Sequence, residues 1–276
     1  MGAAGTEPQL QTRRIETSAG LVHVASAGEG DPVLLLHGIG SSADSFRAQF
    51  AGLADGYRVL AWDAPGYARS DDPPGEVTVD GYVRAAADVL DAFGIDTVHL
   101  AGVSWGGFLA TRIALDRHDR VATLALIGAT PGRRGTPTVD DLEARCRLLE
   151  ERGPEGFAHG RAVRVLAPGA DPRLVADVER NMAASIRPAG YRSAAASLAG
   201  IRHGDELATI TAPTLVVVGE QDVITGPAES RVLADGIPGA ELVSVDGAGH
   251  LVNQERPDVV NAVLRKHWSR RRGATS

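Results

Sequence analysis

The chain has 276 residues, 43% of them hydrophobic and only 4% aromatic, which suits one large α/β domain with a core of Val, Leu, Ile and Ala. Its net charge of −7 argues against a general nucleic-acid binder. The single cysteine, Cys146, excludes an intramolecular disulfide and a cysteine-cluster metal site, and no apolar run approaches the ~20 residues of a membrane span.

In chain order, residues 1–11 read as a lead-in without regular structure. They hold neither a basic region nor an apolar core, so no secretory signal is expected. Met1 to Thr6 fits a myristoylation pattern. Against it, Lys266 is the only lysine among 28 basic residues, the usage of a GC-rich bacterial gene, where that lipidation is not expected. The expectation is a cytoplasmic protein with no membrane partner. Residues 13–17 and 21–25 read as strands around a hairpin turn at Ser18-Ala-Gly20. Val33-Leu-Leu-Leu36 is a continuous apolar run, suited to a strand buried on both faces. It ends in His37-Gly-Ile-Gly40, a small loop that can offer a free backbone N–H to a pocket, with Ile39 the best donor. An ordinary strand-to-helix turn has the same composition.

Residues 46–53 have helical spacing, and 57–62 form the next buried strand. Asp63 to Asp71 is a turn in which Asp63 and Arg69 are expected to hold the backbone. Thr78 can cap a helix through Phe93, with Gly94 past its end. A strand at 97–102, a helix at 105–115 and a strand at 121–127 follow. This alternation implies a mostly parallel sheet with helices on both faces. From Gly128 to about Ala208 the strand signal disappears. Residues 140–152, 171–184 and 191–198 read as helices separated by Gly/Pro breaks. The alternation resumes with a strand at 214–218, a helix at 227–234, a strand at 241–245 and a final helix from Pro257, whose basic end suits a helix C-terminus. The expected division is a core of residues 1–128 and 209–276, with a helical cap, 129–208, inserted after the sixth of eight strands.

Chemistry enters at Gly102-Val-Ser104-Trp-Gly106, the G-x-S-x-G pattern of a strand, one serine on a sharp turn, and a helix. Side chains at either flanking glycine would collide where strand and helix approach. A serine hydroxyl needs a base near pH 7, and histidine has the right unperturbed pKa of about 6.5. Of eight histidines, only His250 lies in a glycine-containing loop after a late strand. His99 reads as buried mid-strand, His118, His203 and His267 as exposed. For the acid that orients the base, Asp222 sits just past a strand end, whereas Asp246 faces a turn. The order Ser104, Asp222, His250 is the one expected of this elbow architecture, with each residue at one edge of the sheet.

On these residues, with Asp63-Ala-Pro-Gly66 and Ser70, the chain closely resembles the α/β-hydrolase family over nearly its whole length. The resemblance implies an α/β-hydrolase fold, Ser104 as nucleophile, His250 as base, Asp222 as its acid, and an oxyanion hole from the backbone N–H groups of Ile39 and Trp105, with no cofactor and no metal. Serine at the elbow, rather than aspartate, argues against the haloalkane dehalogenases and epoxide hydrolases of this fold. Pro188-Ala-Gly-Tyr191, Ile210-Thr-Ala-Pro-Thr214 and His250-Leu-Val-Asn253-Gln-Glu255-Arg-Pro257 are most similar to 3-oxoadipate enol-lactonases and small esterases. The implied activity is hydrolysis of a small ester or lactone through an acyl-enzyme. Two alternatives stay open: a C–C bond hydrolase of a diketone, disfavoured by Leu251 where an aromatic is common, and a non-hydrolytic pocket protein such as a cyclase, isomerase or receptor. In the cap, His159, Leu166, Met182 and Tyr191, with Leu251 beside it, are candidate substrate contacts. Arg133, Arg134, Arg161, Arg164, Arg187 and Arg192 could meet an anionic substrate.

Overall fold

The computed structural model describes residues 8–132, 139–200 and 203–272. The expectations for Met1 to Glu7, Arg133 and Arg134 lie outside these residues. An N-terminal hairpin, β1 (Gln11–Thr17) and β2 (Gly20–Ala27), turns at Gly20, whose φ of 101° favours glycine. Six further strands follow: β3 (Asp31–Leu36), β4 (Tyr57–Trp62), β5 (Val98–Val103), β6 (Val121–Ile127), β7 (Thr214–Gly219) and β8 (Glu241–Val245). The eight lie in one sheet of order β1-β2-β4-β3-β5-β6-β7-β8. The pairings of β1 with β2 and of β2 with β4 are antiparallel, and the rest are parallel.

Alternate side chains of each strand feed opposite faces. Leu34, Leu36, Leu100, Leu124 and Val216 pack under α2 (Val79–Ala92), α3 (Trp105–Asp116) and α7 (Gly226–Gly236). Val33, Leu35, Ala101, Ala125 and Val217 pack under α1 (Arg47–Leu53) and α9 (Pro257–Arg272). The central strands are therefore apolar on both faces, which is why they are legible as unbroken runs. Thr78 caps α2 as expected, its hydroxyl accepting from the Gly81 N–H, and Gly94 beyond the end has a φ of 65°.

Between β6 and β7 the described residues form three α-helices, α4 (Val139–Ala162), α5 (Pro172–Ser185) and α6 (Pro188–Gly200). They share an apolar cluster of their own that includes Leu149, Phe157, Val178, Met182 and Tyr191. Cys146 is buried in it. Two boundaries differ from the sequence reading. Gly153-Pro154 kinks α4 instead of ending it, with Gly153 at φ 67° and Pro154 starting the second half. Pro188 opens α6, since proline is tolerated in a first turn. A short helix, α8 (Val252–Glu255), precedes α9.

Two histidines expected at the surface are buried. His267 falls on the same face of α9 as Val260, Leu264 and Trp268. His203 packs at a tilt against Phe108, its ring centroid 4.5 Å away, and donates from Nε2 to the Phe108 carbonyl. Burial, aided by Arg112, lowers the His203 pKa to about 4. Between about pH 6.5 and 4 the unfolded chain therefore takes up a proton that the folded chain refuses, and stability falls as pH falls through that window. His203 alone accounts for about 3 kcal/mol of the loss. Melting curves across pH 4–7 are expected to show a slope that His203→Gln flattens; an unchanged slope would count against this assignment.

Candidate active site

The elbow is built by close approach. A Cβ on Gly102 would run into the Gly106 backbone, and one on Gly106 into the carbonyl of Leu36 on β3. Gly106→Ala is thus expected to cost roughly 3 kcal/mol or more. Calorimetry should show a Tm drop of about 6–12 °C, and a native Tm would remove this steric account. Ser104, between β5 and α3, has φ 54° and ψ −115°, a conformation that costs roughly 1–3 kcal/mol outside glycine. Two backbone bonds hold it there: its N–H donates to Ile127 O (2.8 Å) and its carbonyl accepts from the Phe108 N–H (3.0 Å). The Trp105 N–H begins α3, and its indole donates to Ser197 Oγ on α6 at 2.9 Å. That ring is therefore a strut between core and cap, packed edge-on to Tyr82.

The loop after β3 lies against this serine. A Cβ on Gly38 would sit 3.3 Å from Ser104 Cβ. His37 is buried, and its Nε2 accepts from the Ala64 N–H at 3.0 Å. Its proton therefore sits on Nδ1, 2.9 Å from the Gly38 carbonyl. Burial keeps the ring neutral by lowering its pKa. Asp63 holds the neighbouring turn's backbone as expected, accepting from the Arg69 N–H (3.3 Å); the Arg69 side chain instead donates from Nε to Asp63 itself (2.7 Å), which also accepts from the Ala43 N–H (2.8 Å). Among the described residues, no acceptor takes the N–H of Ile39 or of Trp105.

His250 and Asp222 come from the loops after β8 and β7. His250 Nδ1 is 2.9 Å from Asp222 Oδ2, and both side chains are buried. Asp222 Oδ1 accepts from the N–H groups of Ile224 (2.7 Å) and Thr225 (3.2 Å). Burial alone would raise the Asp222 pKa, but the bond to His250 and these donors outweigh it and bring it to about 2. Thr225 Oγ1 lies 2.9 Å from both Asp222 Oδ2 and the Gly128 carbonyl. Gly128 is needed there, because a Cβ would come 3.3 Å from His250 Nδ1 and 2.9 Å from the His250 carbonyl. Glu255 accepts from the N–H groups of Gly249 (2.9 Å) and Ala167 (2.7 Å), tying the histidine loop to the cap. Ser104 Oγ forms no hydrogen bond with a described residue. It meets His250 across a shared cavity, as is common before substrate binds.

That cavity has a volume of about 1090 Å³ including its open mouth. Ser104, His250, Ile39, Trp105, Met182 and Leu251 all line it. Three sequence candidates do not. His159 is 82% exposed and pairs with Glu179, because Phe157, Ala158 and Ala162 set the buried face of α4 and His159 projects from the other. Tyr191 is buried inside the cap, 5.3 Å from the Phe157 ring centroid. Leu166 joins the same cluster, while Val165 before it faces the cavity. Of the arginines, Arg161 lines the cavity, Arg187 donates to the carbonyls of Gly66, Ala68 and Ser70, Arg192 pairs with Glu143 and Glu150, and Arg164 is exposed. Arg145, Asn181, Thr225 and Glu229 also line the cavity and escaped the sequence reading. Among the described residues no cluster of three or more His, Cys, Asp or Glu could hold a metal, and no helix is long and apolar enough to cross a membrane.

With this geometry in view, residues 31–257 match the family described by the alpha/beta hydrolase fold, and the chain belongs to that family of hydrolases. A protein of Azorhizobium caulinodans, provisionally named as the carbamate hydrolase RutD, is 29% identical over 248 residues, covering 86% of this chain and 91% of its own. A thermophilic esterase from Thermogutta terrifontis, solved with malate bound, superposes with a TM-score of 0.87 at 27% identity, over 95% of this chain and 99% of the other. An enol-lactonase from Burkholderia xenovorans LB400 has the same fold, with a TM-score of 0.87 at 23% identity, over 93% and 100%.

Proposed function

We propose that this chain hydrolyses a small carboxylic ester or lactone through an acyl-enzyme. One observation carries the reading. A strained serine, two backbone N–H groups without acceptors among the described residues, and an aspartate-bound imidazole open onto one largely apolar cavity. Ser104 Oγ attacks the carbonyl carbon while His250 Nε2 takes its proton. Asp222 holds the proton of the neutral ring on Nδ1 and stabilises the imidazolium that forms. The carbonyl oxygen gains the negative charge and accepts from the N–H groups of Ile39 and Trp105, each worth roughly 2.7–4 kcal/mol of barrier. The α3 dipole acts in the same sense. Collapse breaks the C–O bond, and His250 returns the proton to the leaving alkoxide. A water then attacks the acyl carbon with its proton passing to His250, and the acid leaves as Ser104 regains its hydrogen.

The same steps would open a carbamate, the class named for the A. caulinodans relative. The Thermogutta structure, an esterase at 27% identity and TM-score 0.87, supports the ester. A series of p-nitrophenyl esters, γ- and δ-lactones, phenyl carbamates and a vinylogous 1,5-diketone would decide. Esters or lactones are expected to turn over, with burst kinetics for the nitrophenyl series. Turnover of the carbamates or the diketone alone would displace the ester reading.

A further inference from the structure

We propose that Arg145 and Arg161 form an anion subsite in the cap wall, so that the substrate carries a carboxylate remote from the carbonyl attacked by Ser104. This rests on the hydrolase reading above and names its substrate class. Both arginines belong to α4, one on each side of the Gly153 kink, and both line the cavity that holds Ser104 and His250.

Four described arginines between residues 139 and 200 are half-buried: Arg145, Arg161, Arg187 and Arg192. Arg187 is paired with Asp72 at 2.8 Å, and Arg192 with Glu143 and Glu150. Arg145 and Arg161 have no carboxylate partner among the described residues. Their surroundings do not supply one. Arg161 lies 6.0 Å from the Phe157 ring centroid. Burial pulls its pKa down, Tyr191 offsets part of that, and the charges of Arg145 and Arg164 add repulsion. Glu229, the carboxylate in the cavity lining, accepts from Thr130 Oγ1 at 3.0 Å and is bonded to neither arginine. The buried Tyr191 hydroxyl interacts with both guanidiniums, most directly with Arg145, but it is neutral and does not balance their charge.

Two like charges facing an apolar cavity are costly unless an anion joins them. A guanidinium presents paired N–H donors in the geometry of a carboxylate. Strain of this kind persists where it serves binding. Ser104 and both arginines line one cavity, and hydrolysis of an ester with a remote carboxylate yields a dicarboxylate and an alcohol when that carboxylate is on the acyl side, or a monocarboxylate and a hydroxycarboxylate when it is on the alcohol side.

Glutarate is the probe, titrated by calorimetry at pH 7 into the wild type, Arg145→Met, Arg161→Met and Arg161→Lys. Either methionine variant is expected to weaken binding about 10- to 100-fold, with Arg161→Lys between. Without ligand, Arg161→Met should melt at or about 2 °C above the wild-type Tm, since it removes a buried charge. Glutarate should raise Tm in the wild type and not in the variant. No binding of glutarate, equal binding by Arg161→Met, or a Tm drop in both methionine variants would overturn the subsite. Turnover then separates the two readings. If methyl butyrate and monomethyl glutarate are cleaved equally and Arg161→Met leaves both rates unchanged, the subsite fails and hydrolysis stands. If glutarate binds through the arginines and no ester is cleaved, hydrolysis fails and the anion site stands.

Discussion

Ser104→Ala is expected to abolish ester turnover and covalent labelling by a fluorophosphonate while leaving the fold intact. The hydroxyl is the atom that forms the acyl bond, so its loss should lower kcat by about 10⁴–10⁶-fold. What remains would come from the oxyanion hole and from binding alone. The fold should hold for two reasons. Alanine keeps the same Cβ and therefore the same strain at φ 54°, and the Ser104 hydroxyl gives no described hydrogen bond that the variant would lose. A Tm within about 2 °C of the wild type is the companion measurement. A folded wild type that refuses the fluorophosphonate, or a variant that still takes it, would remove Ser104 from the role.

Much of this site is legible before any coordinates. Tyr57–Trp62 and Val121–Ile127 coincide with their apolar runs because both strands are buried on both faces. The three chemical residues stand out because each follows a strand and has a glycine nearby, and a parallel sheet gathers such ends on one edge. The cap is harder. Its helices pack on each other and on the core, so their apolar faces are broad and their phase is weakly marked. His159 illustrates this: Phe157, Ala158 and Ala162 fix the inward face of its helix, and that phase would have turned His159 outward.

Other features leave no local trace. Thr225 matters because its loop folds back until the hydroxyl meets both Asp222 and the Gly128 carbonyl, a juxtaposition across 97 positions of chain. Arg145 sits in a run of charged residues, where a cavity-facing arginine and a solvated one have the same sequence. His203 follows a helix and precedes polar residues, and it is buried through tertiary contacts with Phe108 and Pro131. In each case the deciding partner is distant in sequence, while the elbow and its glycines are decided locally.

Asp222→Asn is the sharpest test of how the base is held. The two oxygens of Asp222 are already distinguished by their donors. Oδ1 accepts two backbone N–H groups, from Ile224 and Thr225. An asparagine must therefore keep its carbonyl there and turn its NH₂ toward the Oδ2 position, 2.9 Å from His250 Nδ1. Facing a donor, Nδ1 becomes the acceptor, and the neutral ring carries its proton on Nε2, where it cannot take one from Ser104. The Thr225 hydroxyl can donate to the Gly128 carbonyl instead, at 2.9 Å, so packing survives. The expected result is a drop in kcat of about 10⁴-fold with a near-native fold, and fluorophosphonate labelling slowed by a similar factor rather than abolished. With its pKa near 2, Asp222 is ionised throughout pH 5–8, so the defect should persist across that range and not be recovered by titrating the carboxylate of the wild type. Retention of turnover within tenfold would mean that His250 does not depend on Asp222 for its tautomer.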